Sequence, residues 1–186
     1  MTDGLGRLWA GWRNAYVTAA DEGGAGSADP LEDVGVAIGE GQVAGCVLCR
    51  LTAPGAPDRA ANVVWRGKRC AAVLNAYPYT SGHLMVLPVR HVADLEALEP
   101  AEASELWAGV TDAVVAIKAA YRPSGVNVGL NLGRSAGAGV PGHLHVHALP
   151  RWDGDTNFMT TTAGVRVLPE ALPDSWDKLR AAWPNP

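Results

Sequence analysis

An α+β fold, with a mostly antiparallel five-stranded sheet and a long helix packed on one face, is predicted by three features of this 186-residue chain. Two short apolar runs, 63–66 and 71–74, flank Gly67-Lys68-Arg69 in the pattern of a hairpin. From Glu99-Pro100 to Tyr121, the side chains Leu106, Val110, Val114, Ile117 and Tyr121 recur at helical spacing, and Pro123 ends the run. His143-Leu144-His145-Val146-His147 alternates in the manner of a strand with two unlike faces. Strands grouped before and after one helix, rather than alternating with helices, indicate α+β rather than a parallel α/β sheet.

In chain order, Leu5 to Ala19 carries Leu8, Trp9, Trp12 and Tyr16 at near-helical spacing and reads as an amphipathic helix. Residues 20–45, rich in Gly, Ala, Asp, Glu and Ser, read as a surface loop. Cys46-Val47-Leu48-Cys49 follows, then a Pro/Gly-containing loop through Pro57. After the hairpin, Tyr77 to Gly82 is a turn and His83 to Pro88 a short apolar strand. Beyond the long helix, 126–132 and 143–149 are strands joined by the Gly-rich stretch 133–142. Asp174 to Trp183 reads as a helix capped by Asp174 or Ser175. The expected organisation is a single domain, with an N-terminal helix and loop (1–45), a core (46–160) and a C-terminal extension (161–186). The long helix covers one sheet face, and the histidine face is left to form a cleft.

The composition narrows the functional classes. No window approaches eighteen uninterrupted apolar residues, and Met1 to Tyr16 lacks an apolar signal core, so neither a membrane span nor secretion is expected. Three cysteines, Cys46, Cys49 and Cys70, are too few and too odd in number for a disulfide framework, which points to a reducing cytoplasm. A net charge of −4 offers no basic field for DNA or RNA. A small anionic ligand held by local groups fits this balance.

The histidine stripe carries the chemistry. Burying three same-face imidazoles without partners is costly, so packing alone is a poor explanation for them. A neutral imidazole such as His145 can attack phosphorus and form a phosphoramidate, provided its other ring nitrogen is held by an acceptor. Backbone N–H groups of Gly133 to Gly139, notably at Gly137 and Gly139, are candidates to cradle phosphoryl oxygens; the plainer reading of this loop is a simple turn. Asn131 and His147 could add side-chain donors, and Arg134 and Arg151 charge.

His143-Leu144-His145-Val146-His147-Ala148-Leu149 resembles the signature of the histidine triad (HIT) family. Val73 to Pro88 is similar to that family's ribose-contacting turn and following strand, and Asn127 to Gly133 to its phosphate-side strand. The resemblance covers roughly residues 63–157. Pro150-Arg151-Trp152 and Gly154 to Phe158 look most like an actinobacterial branch that splits diadenosine tetraphosphate. It implies a HIT-like fold and a homodimer. His145 would be the nucleophile that takes a nucleotidyl group, and His147 would assist the phosphate and leaving group. Asn131 would hold phosphate, Asn75 the ribose, and Trp152 would border the nucleotide. The acceptor would be orthophosphate in a phosphorylase or water in a hydrolase. Other outcomes within reach are a nucleoside phosphoramidase or AMP-conjugate hydrolase, a nucleotide-binding protein without turnover, and a hydrolase using zinc on the histidine stripe. Where many members carry Gln-Ser or Gln-Thr before the first histidine, this chain has Gly139-Val140 and loses those side-chain hydrogen bonds.

Cys46-x-x-Cys49 is a weak metal signal alone. By the resemblance it joins His91 and His143 in a closed structural zinc site. The alternative is an empty reduced pair. Cys70 is expected to be a small buried residue and His83 to be structural.

Overall fold

The computed structural model of the chain describes residues 36–156 and 170–184. The helix expected at Leu5–Ala19, with Trp9 and Trp12, lies outside the described residues, as do Asn157 and Phe158 of the motif after the triad. The elements in order are α1 (Val47–Thr52), β1 (Val63–Arg66), β2 (Cys70–Leu74), β3 (Leu84–Pro88), α2 (Pro100–Tyr121), β4 (Gly125–Leu130), β5 (Val146–Arg151) and α3 (Leu172–Ala182). Among the described residues the strands form one five-stranded sheet in the order β1-β2-β3-β5-β4, antiparallel at every pairing. The α+β arrangement is therefore as the patterning indicated. No helix among the described residues is long and apolar enough to cross a membrane.

Helix α2 begins where Glu99 donates its N–H to Glu102 Oε2 at 2.9 Å and Pro100 opens the first turn, a position that needs no N–H donor. It ends at Arg122, in the left-handed region at φ 44°. Leu106, Val110, Ala113, Ala116 and Ile117 are buried on the sheet side, while Val114 is only half-buried. Small residues bring the helix close: a methyl group at Gly109 would lie 3.1 Å from both Trp65 and Val86. This layer packs on Val64, Ala72, Leu74, Leu84, Val86, Leu144, Val146 and Ala148, with Leu179 and Trp183 of the C-terminal segment closing it.

The other face differs from the simple cleft expected. Its β1–β3 half is covered, because Leu48, Leu51, Ala56 and Ala61 pack on Val63, Val73, Met85 and Leu87. Cys46 is the N-cap of α1, and the loop expected after Cys49 is helical as far as Thr52. Among the described residues only the β5–β4 side is left uncovered, and Asn127 and Gly129 are exposed there.

Three boundaries also shift. β4 stops at Leu130, and β5 starts at Val146, so His143 and His145 precede the paired strand. The chain is anchored there by the Leu144 N–H, which donates to Val92 O at 2.7 Å. The last helix begins at Leu172 with Ala171 as N-cap, because Pro173 is tolerated in a first turn.

Candidate active site and metal centre

The alternation across the triad holds even before β5 begins. Leu144, Val146 and Ala148 enter the core under α2, while His143, His145 and His147 lie buried on the opposite side. Register then selects their neighbours. Met85 of β3 and Gly129 of β4 both pair with His147. A methyl at Gly129 would touch nothing within 4 Å among the described residues, which leave the sheet beside His147 uncovered.

The tautomers follow from fixed partners. His145 Nδ1 lies 2.8 Å from the carbonyl oxygen of His143. A carbonyl only accepts, so the proton sits on Nδ1 and the Nε2 lone pair is free. Burial pushes the His145 pKa below the ordinary imidazole value of 6.5, partly offset by that backbone hydrogen bond. His145 is a neutral base whose Nε2 meets no donor among the described residues.

His147 has the opposite polarity. The Tyr79 N–H donates to His83 Nδ1 at 3.1 Å, and Asn75 Nδ2 reaches the same nitrogen at 3.3 Å. The Asn75 amide is oriented by its Oδ1, which accepts the Tyr77 N–H at 3.0 Å. His83 therefore carries its proton on Nε2 and donates it to His147 Nδ1 at 2.9 Å. His147 is left with a proton on Nε2. The two rings are edge-to-face, with centroids 4.9 Å apart. An imidazole with a bare nitrogen thus lies beside one with an N–H donor.

His83 and Tyr79 were not among the site residues expected. The Tyr79 ring lies 4.6 Å from His83 and 5.8 Å from His147, and His83 is fully buried. His83 precedes Met85 by two residues and so shares the face of His147. That signal exists only once the β3–β5 register is known.

The other expected residues are placed unevenly. Asn75 borders His83, as above. Asn131 follows β4, and its Nδ2 donates to Gly137 O at 3.4 Å. Gly137, at φ 89°, directs its own N–H to Arg134 O at 2.8 Å, and Ala138 N–H reaches Gly133 O at 3.3 Å. The glycine loop is thus partly closed on itself rather than a fully open nest. Gly139 leads into Val140, which packs against the apolar cluster of α1. Arg151 forms a two-pronged ion pair with Asp155 and donates to Asn127 Oδ1 at 2.9 Å. Trp152 lies edge-on to Tyr121, with centroids 6.2 Å apart.

His143 belongs to a different cluster. Its Nε2 donates to Pro88 O at 2.8 Å, which aims the Nδ1 lone pair at Cys46 Sγ and Cys49 Sγ, each 3.4 Å away. His91 Nδ1 lies 3.4 Å from Cys49 Sγ. The four ligand atoms of Cys46, Cys49, His91 and His143 lie within 4.8 Å of one another, close enough to hold one metal ion. Burial lowers the His143 pKa to about 4 and raises the Cys49 thiol to about 11. The histidine is a neutral ligand with its outer nitrogen already tied to a carbonyl, as metal-binding imidazoles require. The donor set suits a soft divalent ion.

The family model described as the HIT domain matches residues 56–154. A Mycobacterium tuberculosis protein named AP-4-A phosphorylase is 41% identical, the alignment covering 97% of this chain and 86% of that one. The Schizosaccharomyces pombe bis(5'-nucleosyl)-tetraphosphatase (asymmetrical) is 38% identical over 50% of each chain. Among solved structures, a zinc-bound histidine triad family protein from Mycobacterium smegmatis aligns with a TM-score of 0.60 and 28% identity. That alignment covers 74% of this chain and 92% of the other. A hypothetical histidine triad nucleotide-binding protein from Sulfolobus tokodaii aligns at 0.56 and 30% identity, over 67% and 84%. With more than half of its length matched by that family model, on a sheet that seats its histidines as described, this chain belongs to the HIT family.

Proposed function

We propose that this protein is a nucleotidyl-transfer enzyme that cleaves dinucleoside polyphosphates such as diadenosine tetraphosphate, with orthophosphate as the acceptor. The observation that carries the reading is the pair of complementary tautomers: a bare Nε2 on His145 beside an N–H on His147, next to the open floor at Gly129.

His145 Nε2 attacks the phosphorus that bears one adenosine, forming a P–N bond as the P–O bond to the rest of the polyphosphate breaks. His147 Nε2–H donates to the charge that develops on phosphoryl or leaving oxygen. A phosphate oxygen then attacks the same phosphorus, and the P–N bond breaks to release ADP and restore His145. The name of the M. tuberculosis relative supports phosphate over water. Asn131, Gly137, Gly139 and Trp152 are the proposed substrate contacts on the open side, and Asn75 serves the ribose while bracing His83.

At Cys46, Cys49, His91 and His143 the proposed ion is zinc, and the name of the zinc-bound neighbour supports that choice. Four protein ligands leave no coordination position for substrate, so zinc there stabilises the fold and supplies no Lewis acid. Trp107, Val115 and Val128 are large apolar side chains exposed on α2 and the edge strand β4, and they support a homodimer. Sedimentation equilibrium should return twice the 19.4 kDa chain mass, and a single-chain mass at micromolar concentration would remove the dimer.

The decisive experiment follows the products of diadenosine tetraphosphate with and without orthophosphate. ADP plus ATP, formed only with phosphate, is expected. AMP plus ATP in both conditions would make water the acceptor. Turnover of an adenosine phosphoramidate alone would replace the substrate class while keeping the nucleophile.

A further inference from the structure

Glu170 and helix α3 lie beyond residues 56–154, the span matched by the family model, yet they are bonded to a side chain that touches the site. The Glu170 carboxylate is half-buried and takes three donors. Oε1 accepts from the Tyr121 hydroxyl and from Ser175 Oγ, each at 2.6 Å, while Lys178 pairs with Oε2. The Lys178 ammonium also lies 5.6 Å from the centroid of the Tyr121 ring. Burial, with the adjacent carboxylate, holds the phenol protonated, so it remains a donor to Glu170 throughout the neutral range.

The same ring is pressed against two segments that border the site. Gly82 has φ +77°, and a methyl group there would lie 2.5 Å from Tyr121 Cε2. The ring therefore occupies the space a side chain would take, immediately before His83. The ring also meets Trp152, edge-on just past β5. His83 in turn donates to His147 at 2.9 Å. A chain of contacts thus runs from Glu170 through Tyr121 and the Gly82 turn to His83 and His147.

We infer that Tyr121 is a positioning residue for the His83–His147 pair and that Glu170 fixes its ring, which makes the C-terminal segment part of the site's support. The inference rests on the reading that His147 assists nucleotidyl transfer. A hydrogen bond between two imidazoles tolerates little displacement, and misplacement of about 1 Å can cost on the order of a hundredfold in rate.

The test uses the full chain with Tyr121→Leu and Tyr121→Phe, read by kcat and KM on diadenosine tetraphosphate and by nitrogen-15 imidazole spectra of His83 and His147. Tyr121→Leu should lower kcat about tenfold with KM within about twofold, and its His83 nitrogens should move from one tautomer toward averaged values. Tyr121→Phe keeps the ring but loses its bond to Glu170, so it should shift the same spectra by a smaller amount and lower kcat by no more than about threefold. Should Tyr121→Leu fail to fold, Glu170→Ala removes the anchor alone and should shift the same spectra in the same direction. A variant that melts earlier but keeps wild-type spectra and kcat would overturn the inference, leaving Tyr121 a packing residue. If the wild-type chain turns over no dinucleoside polyphosphate, the functional reading fails separately. The spectra then decide the positioning role: unchanged tautomers in Tyr121→Leu overturn it.

Discussion

His145→Asn should lower turnover of diadenosine tetraphosphate about a thousandfold or more while the folded structure persists. An Asn amide nitrogen can take the place of Nδ1 and still donate to His143 O, so the loss isolates Nε2, whose lone pair no donor among the described residues meets. Because burial depresses the His145 pKa, the neutral form persists as pH falls below 6.5. The acid limb of kcat/KM should therefore have its midpoint under that value, and activity should be flat above it. Chelator should leave the chemical step intact for as long as the fold survives, since the proposed zinc has four protein ligands and offers substrate no coordination position. A His145→Asn enzyme with near-wild-type turnover would falsify covalent catalysis at this position.

The second large effect is expected from Cys49→Ser. Cys49 is fully buried, and its sulfur is 3.4 Å from the Nδ1 atoms of both His91 and His143. The substitution should abolish stoichiometric zinc and lower the melting temperature strongly. Structural zinc is worth about 10–16 kcal/mol in isolated zinc-finger peptides. The loss here should be smaller, because the α2 side of the sheet has a core of its own. The damage should concentrate in residues 36–61, which the cluster ties to the sheet together with the His91 N–H to Gly41 O bond of 2.8 Å. Binding must displace the thiol proton that burial holds up to about 11, so zinc affinity should fall as pH falls. Metal analysis and thermal melts of the wild type before and after chelation check this. A wild-type chain that carries no zinc, and whose melting is unchanged by added zinc, would return the four residues to a reduced, empty cluster. The two predictions share one residue. His143 contributes its side chain to the metal cluster and its carbonyl to His145 Nδ1, so activity lost on chelation should track unfolding of this segment rather than loss of a reacting group.

Local pattern was sufficient for much of the fold. The hairpin at Gly67-Lys68-Arg69, the long helix ended by Pro123, and the inward Leu144, Val146 and Ala148 depend on near-neighbour periodicity, which the chain displays directly. Boundaries were less legible. The final helix begins at Leu172, and the Cys46 segment is helical, because both are held by tertiary packing rather than by a strong cap of their own.

The same division runs through the site. HxHxH spelled out a face with three imidazoles, and the order of its flanking motifs spelled out a family. Their division of labour could not be read that way. His143 turns to the sulfurs because α1 folds over β1–β3, and His147 becomes a donor because register brings His83 beside it from 64 positions away. Whether the glycine loop opens to a ligand or closes on itself also depended on which carbonyls its N–H groups met. Side-chain periodicity is a property of consecutive residues, and a sequence carries it in full. Tautomer, metal geometry and neighbour identity depend on contacts between distant segments, and those exist only when the sheet is assembled.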